Sequence, residues 1–188
     1  PVTEPLSVAP DPLGIHSKFS HSNESASAGY YQVRLSDYDI NVELTATQRF
    51  GIQRYSFPKG KQPIVLLNLA KAMNWDFTQN TDIQIIDSVT IAGFRFSDGW
   101  ARSQKLYFCT RFSRPFTKHE ISADSVMLKG EYLGLAKNAR FEFAETESQE
   151  IVVSTALSCT SVESARKNLA AEVPTDDFNT YLGLAKEM

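Results

Sequence analysis

Hydrophobic and polar residues alternate along most of the chain. Tyr31, Val33 and Leu35 alternate with polar residues, and the same period of two returns between Ile40 and Thr47. Such alternation is typical of antiparallel strands with one buried and one wet face. Ten candidate strands follow one another, at residues 30–35, 40–47, 50–57, 63–69, 83–86, 89–96, 104–112, 118–121, 139–144 and 150–157. Because turns separate them and no helical period intervenes, the pattern predicts a mainly β protein, an antiparallel β-sandwich.

The polar segment at residues 20–29 shows no apolar period and predicts a long loop. It continues a first stretch punctuated by prolines, so we expect residues 1–29 to be irregular. Long loops in compact domains often carry function.

The last thirty residues change to a helical period. Residues 160–163 fit a capping box, in which a hydroxyl and a carboxylate satisfy free amides of the first helical turn. Pro174 is expected to end this helix, and the acids Asp176 and Asp177 favour the start of a second one. The apolar faces are Val162, Ala165 and Leu169 in the first helix and Phe178, Tyr181, Leu182 and Ala185 in the second. No stop signal follows, so we expect a piece of a longer protein.

Composition narrows the function classes. The chain has 188 residues, of which 42% are hydrophobic and 22% charged, with a formal net charge of −3. This balance is typical of a folded domain and argues against a nucleic-acid partner, which would favour a basic face. No apolar run approaches the ~18 residues of a membrane span, and we expect no signal peptide at residues 1–12. The expected division is a β-sandwich domain at 1–160 and a helical linker at 161–188.

Candidate chemistry within the chain is sparse. The nucleophile-elbow, phosphate-loop and zinc-binding motifs are absent, and the three histidines are scattered. Asp37 and Asp39 could be calcium ligands, but a strand-connecting turn is the favoured interpretation. Cys109 and Cys159 are expected to be buried free thiols; a single disulfide is the alternative if the protein is exported. We therefore predict no catalytic residue and no metal site in this chain.

Eight short strings stand out in a fixed order. They are FSHSNE (19–24), GYY (29–31), ELTATQR (43–49), RYSFP (54–58), GWARSQ (99–104), FSRPF (112–116), SVE (161–163) and NLAAE (168–172). In order and approximate spacing they resemble the N-terminal β-domain of glycoside hydrolase family 92. Each string alone is weak, but the set covers roughly residues 19–187.

The resemblance implies an exo-acting, calcium-dependent α-mannosidase that inverts anomeric configuration, of the α-1,2 type. Members of the family join a β-sandwich of the supersandwich type to a C-terminal (α/α)6 barrel through helices. The barrel supplies the acid, the base and most of the Ca²⁺ site, so this chain alone is expected to be inactive and to hold no Ca²⁺ itself. A glycine-rich segment that precedes the first string in the family is missing, so we expect the sandwich to be incomplete at its N-terminal side.

Three residues are candidates for binding sugar. His21 and Glu24 lie on the predicted polar loop, where they could hydrogen-bond hydroxyls, although bracing of the loop is the favoured interpretation. Trp100 would be either an exposed platform for a sugar face or a half-buried filler at the end of the sandwich, with neither favoured. Trp75 is interpreted as a loop anchor.

Two function classes lead, and a scaffold domain with no ligand of its own is a third interpretation that survives only if tests of both are negative. The leading hypothesis is the sandwich domain of a family 92 α-mannosidase, which packs on the catalytic barrel of the same polypeptide and forms one wall of the pocket for a mannose-containing glycan. The alternative is a free-standing, lectin-like carbohydrate-binding module. The resemblance further implies a periplasmic, cell-surface or secreted location in a bacterium.

Overall fold

The computed structural model describes residues 1–3, 16–70, 75–128, 131–173 and 175–187, with side chains outside residues 124–136. The irregular structure expected for residues 4–15 and the helix break expected at Pro174 lie outside the described residues. Within them, Val2 pairs with Ile64 through two backbone hydrogen bonds of 2.9 and 3.1 Å.

The described residues form two antiparallel sheets, which confirms the predicted β-sandwich. The larger sheet has the strand order β1-β2-β3-β4-β11-β8-β7-β6, and the smaller one β5-β10-β9. The strands are β1 Glu24–Ser27, β2 Tyr30–Leu35, β3 Ile40–Ala46, β4 Phe50–Ser56, β5 Ile64–Asn68, β6 Phe77–Ile85, β7 Thr90–Asp98, β8 Gln104–Phe112, β9 Phe116–Leu128, β10 Glu131–Phe143 and β11 Glu150–Ser158.

The main core lies between the two sheets. Phe112 of the large sheet packs on Phe141 and Phe143 of the small one, with ring centroids 5.2 and 5.4 Å apart. Ile40 and Ile151 lie in the same cluster and are fully buried. Burial of such large apolar side chains, each contributing about 1.5–3 kcal/mol, is the main force holding the sheets together.

A second core covers the other face of the large sheet. Helices α1 (Val162–Glu172) and α2 (Phe178–Glu187) lie there. Their predicted apolar faces are confirmed, because Ala165, Leu169, Phe178, Tyr181 and Ala185 are buried. Within the described residues, neither helix is long and apolar enough to cross a membrane.

The helix starts follow capping chemistry with one change. The Ser161 hydroxyl accepts the Ser164 amide at 3.1 Å, so Ser161 and not Thr160 is the N-cap of α1. The carboxylate of Asp177 accepts the Asn179 amide at 3.1 Å at the start of α2, as the acids there predict.

Three predictions about strands were wrong in extent. The segment at 20–29, expected to be a loop, contains a short 3-10 turn (His21–Asn23) and strand β1, which pairs with β2 as a largely exposed edge. Strand β6 begins at Phe77 rather than at residue 83. Strands β9 and β10 extend well beyond the predicted 118–121 and 139–144. In β6, polar residues interrupt the apolar period that the sequence analysis relied on.

Candidate functional site

The antiparallel order divides the turns of the large sheet between two ends. One end carries the segment before β6 and the connection between β7 and β8, which hold Trp75 and Trp100. The β3–β4 turn and the end of β11 lie at this same end, because each strand reverses the direction of its neighbour. We call this the tryptophan end. The residues between β2 and β3 and those preceding β1 lie at the opposite end.

Both tryptophans are exposed at the tryptophan end. Trp100 is 92% exposed and Trp75 is 82% exposed. Phe77 pairs with Asp98 in the sheet, so the register places Trp75 and Trp100 at facing positions just beyond the paired strands. The expectation that Trp75 anchors a loop was wrong, as was the half-buried alternative for Trp100. Two large aromatic rings exposed at facing positions make this end of the sheet a candidate binding surface.

Backbone contacts hold the two tryptophan segments together. Gly99 lies against the Trp75 carbonyl, where a Cβ atom would fall 2.6 Å from the oxygen. Arg95 of β7 donates to the Asp76 carboxylate at 2.6 Å, and the Asp98 carboxylate accepts the Gly99 amide at 3.0 Å. The indoles therefore project from a fixed backbone, which is what a stacking platform requires.

His21 and Glu24 lie at the opposite end. His21 Nδ1 is 3.2 Å from Glu24 Oε2, and the His21 ring makes an edge contact with Phe19. The Ser20 hydroxyl accepts the Ser22 amide and caps the same turn. These contacts support the bracing interpretation of the two residues.

The structure does not bring the three candidate sugar-binding residues together. Five strands separate β1, which begins at Glu24, from β7, which precedes Trp100. At about 4.8 Å per strand, the separation is about 29 Å along the sheet. The residues also lie at opposite ends of the strands, so His21 and Glu24 do not share a site with Trp100.

The described residues contain no group of three or more His, Cys, Asp or Glu side chains arranged to hold a metal ion. Asp39 pairs with Arg34, and the Asp37 carboxylate accepts the Lys18 amide at 2.8 Å. Asp39 has a positive φ of 55°, a value typical of tight turns. The structure thus supports the turn interpretation of this pair over the calcium one.

Both cysteines are free. Cys109 is buried, as expected, beneath α1 in the second core. Cys159 is exposed, so the expectation of a second buried thiol was wrong. Its position just after β11 places it at the end of a strand, where the sheet no longer covers it.

A groove at the tryptophan end was missed by the sequence analysis. Its volume is about 610 Å³, and it is lined by residues 46–51, Leu106, Leu157, Ser158, Cys159 and Asn168. Leu157 is 41% exposed on this wall. The period of two along residues 150–157 places Leu157 on a strand face but does not indicate that the face opens to solvent here.

A buried charged network was also missed. Arg54 Nε and Nη2 donate to the two carboxylate oxygens of Glu43 at 2.7 and 2.8 Å, and the Tyr30 hydroxyl donates to Glu43 Oε1 at 2.8 Å. The hydrogen bonds from Arg54 lower the pKa of Glu43, while burial raises the pKa of Tyr30 to about 12. All three residues belong to the strings quoted above, but their contact depends on strand register, which strings do not give.

Comparisons with known proteins identify the class of domain. The model of the glycosyl hydrolase family 92 N-terminal domain matches residues 1–158. The curated protein sequences contain no match. Among solved structures, the family GH92 α-mannosidase BT3965 from Bacteroides thetaiotaomicron is 25% identical with a TM-score of 0.80, over 91% of this chain and 24% of that one.

Two further structures share the fold. The GH92 inverting mannosidase BT2199 from Bacteroides thetaiotaomicron VPI-5482 is 23% identical with a TM-score of 0.75, over 91% of this chain and 23% of that one. The gh92 family glycosyl hydrolase ccman5 is 22% identical with a TM-score of 0.73, over 91% and 24% of the two chains. The present chain thus spans about a quarter of the length of these proteins. It belongs to glycoside hydrolase family 92, whose N-terminal domain it contains.

Proposed function

We propose that this chain is the non-catalytic N-terminal domain of an exo-acting, inverting α-mannosidase of the α-1,2 type. Family membership supports the enzyme class, and the similar structures come from an α-mannosidase and an inverting mannosidase. The lectin-like alternative is not favoured, because these similar proteins are enzymes about four times as long. By this proposal the parent protein acts on mannose-containing glycans.

The exposed Trp75–Trp100 pair is the observation that carries the role of this domain. Two indoles held on a fixed backbone would be unfavourable in water unless another surface or a ligand covers them. A sugar ring presents C–H groups that pack on aromatic faces, so Trp100 would form one wall of the mannose pocket. His21 and Glu24 remain weaker candidates for sugar contact, because they hydrogen-bond each other at the opposite end of the sheet.

The chemistry would lie in a C-terminal (α/α)6 barrel of the same polypeptide, against which the tryptophan end would pack. Inversion needs a carboxylic acid that protonates the leaving oxygen and a carboxylate that activates water on the opposite sugar face. Calcium would bind to oxygen ligands of that barrel. The chain's own residues would contribute stacking, orientation and exclusion of water. We also propose that the parent protein is located in the periplasm or at the surface of a bacterial cell.

The experiment compares the 188-residue chain with the full-length parent on an aryl α-mannoside, with and without EDTA. We expect EDTA-sensitive turnover by the parent and none by the chain. Turnover by the chain would contradict the placement of the chemistry, and an inactive parent would contradict the mannosidase assignment. Calorimetry of mannose with the isolated chain tests the lectin-like alternative, which predicts a measurable heat.

The role of the tryptophan end is tested in the parent with Trp100→Ala. Loss of a stacking contact should lower kcat/KM about tenfold, equivalent to about 1.4 kcal/mol. Phe19→Ala is the matched control, because Phe19 is also exposed (52%) but lies at the opposite end. The kcat/KM values of His21→Ala and Glu24→Gln are measured in the same assay, because both residues are candidates for sugar contact. An unchanged kcat/KM for Trp100→Ala would remove the stacking role.

A further inference from the structure

An ion pair is buried under the start of α2. Glu43 of β3 faces Arg54 of β4 in the sheet register, and two hydrogen bonds join the carboxylate to the guanidinium. The side chains are only 11% and 20% exposed. Such a pair stabilises a fold little more than apolar residues of the same volume would, because both charges lose their hydration. Its presence therefore needs an explanation other than stability.

The same guanidinium also contacts α2. The Arg54 Cζ atom lies 4.6 Å from the centroid of the Phe178 ring, and Nη1 donates to the Asn179 side-chain oxygen at 3.3 Å. Arginine can make these contacts together because its planar group donates along its edges and stacks through its faces. One side chain thus connects β3, β4 and the first turn of α2.

The other contacts that the structure describes between α2 and the sheet are apolar, while Asp176, two residues before the helix, pairs with Arg111 of β8 at 2.7 Å. The Tyr181 ring packs edge-on against Phe50 at 5.1 Å, and the Ala185 backbone touches Gly29. Apolar packing is non-directional and would tolerate a small slide or rotation of the helix. The charged contacts are directional, so they select one arrangement from the several that the apolar face would accept.

We propose that Glu43 and Arg54 are positioning residues that fix the direction in which α2 crosses the sheet. The helix runs from Arg54, inside β4, to Gly29, at the tryptophan end. In the parent mannosidase, this fixed direction would set where the polypeptide that follows α2 leaves the tryptophan end, near β1 and β2. This last step rests on the proposed function, whereas the positioning of α2 concerns the present chain alone.

The first experiment measures α2 directly in the 188-residue chain. Spin labels are attached to the exposed Cys159 and to a thiol introduced by Lys186→Cys, and the distance distribution between them is recorded. Arg54→Lys keeps the charge but loses the bidentate and stacking geometry, so the distribution should widen at least about twofold. The unfolding midpoint, measured in parallel, should change little.

The matched control is Arg34→Lys. Arg34, on strand β2, pairs with Asp39 in the turn between β2 and β3, and both side chains are exposed and away from α2. Its distance distribution should equal that of the unsubstituted labelled chain. Phe178→Leu keeps burial but removes the ring, and should widen the distribution as Arg54→Lys does. If Arg54→Lys leaves the distribution as narrow as the control, the positioning role is overturned.

The second experiment uses the parent enzyme and an aryl α-mannoside. Arg54→Lys should lower kcat/KM several-fold while Arg34→Lys does not. A kcat/KM for Arg54→Lys equal to that of the unsubstituted parent would overturn the contribution of α2 positioning to the enzyme. A parent without mannosidase activity would refute the proposed function, while the distance experiment would still decide the positioning role.

Discussion

Gly99 lies directly against the backbone of Trp75. A Cβ atom at Gly99 would fall 2.6 Å from the Trp75 carbonyl oxygen and 2.8 Å from the Asp76 Cα atom. The contact joins the connection after β7 to the segment before β6. Trp100 follows Gly99 directly in the chain, so the two exposed indoles of Trp75 and Trp100 flank this contact. The geometry of the tryptophan end therefore depends on a position without a side chain.

Substitution of Gly99 by alanine should displace the Trp75 segment. Two backbone atoms block the new methyl group, and backbone cannot move aside as a flexible side chain can. We expect a loss of about 1–3 kcal/mol in the free energy of unfolding, measured by urea denaturation. Tryptophan fluorescence of the folded state should change as well.

Gly51→Ala is the control for this substitution. A Cβ atom at Gly51, within β4, meets nothing within 4 Å. Alanine restricts the unfolded chain, so the free energy of unfolding should stay the same or rise slightly. Equal losses for Gly99→Ala and Gly51→Ala would contradict the steric argument.

Gly29 and Gly60 provide a second matched comparison. Both have φ of +71°, so alanine at either position pays the cost of left-handed backbone, about 1–2 kcal/mol. Only at Gly29 would the new Cβ also collide with α2, at 2.9 Å from the Ala185 carbonyl oxygen. Gly29→Ala should therefore destabilise the chain more than Gly60→Ala and should increase hydrogen exchange in α2 alone. Similar exchange of α2 in both variants would contradict the close approach.

The contribution of Glu43 should depend on pH in a defined direction. The hydrogen bonds from Arg54 hold the pKa of Glu43 below its ordinary value of about 4.3. A depressed pKa in the folded state means stability that is fully present above that ordinary value and is lost as pH falls through the lower, folded value. The difference in free energy of unfolding between the unsubstituted chain and Glu43→Gln should shrink over this acidic range.

Other carboxylates, including Asp82 and Asp177, also have lowered pKa values and contribute to acid unfolding. The difference from Glu43→Gln isolates the one group, because the others are common to both proteins. Between pH 6 and pH 8, well above the range in which carboxylates titrate, the difference should be constant. A difference that does not vary between neutral pH and pH 3 would show that the ion pair contributes no pH-dependent stability.

The fold could be predicted where the sequence pattern is clear. Residues 30–35 and 104–112 were predicted with the bounds that the structure has, because the first segment alternates apolar and polar positions and the second is rich in apolar residues, which contribute to both cores. The predicted strand at 83–86 was shorter than the observed β6 for a physical reason. Thr78 and Thr81 are buried yet polar, and their hydroxyls bond the Leu69 carbonyl at 3.0 Å and the Lys137 amide at 2.6 Å. A buried hydroxyl group that is hydrogen-bonded cannot be distinguished, from the sequence alone, from one that faces solvent.

The candidate site was harder to predict than the fold. The exposure of Trp75 and Trp100 depends on which segments cover them, and such neighbours are remote in sequence. That His21 and Glu24 lie at the opposite end of the sheet from Trp100 could not be predicted, because sequence order does not give strand order. Family resemblance supplied the enzyme class, but register and burial were needed to separate the two ends of the sheet.

The two cysteines should react very differently with thiol reagents. Burial raises the pKa of the Cys109 thiol and α1 covers it, whereas Cys159 is exposed. In the native chain a maleimide should modify one thiol quickly, and mass spectrometry of peptides should locate it at Cys159. In denaturant both thiols should react. Modification of Cys109 at the same rate in the native chain would contradict its burial.

The same geometry argues against an intramolecular disulfide even in an oxidising location. Cys109 faces Ala156 in the sheet register, so Cys159 lies three residues beyond the facing position. At about 3.3 Å per residue the offset is about 10 Å, more than the ~7 Å between Cα atoms that a disulfide can span. Mild oxidation should therefore yield dimers linked through Cys159 on non-reducing gels, and Cys159→Ser should abolish them. Oxidised monomer containing a Cys109–Cys159 bond would refute the described register at the end of β11.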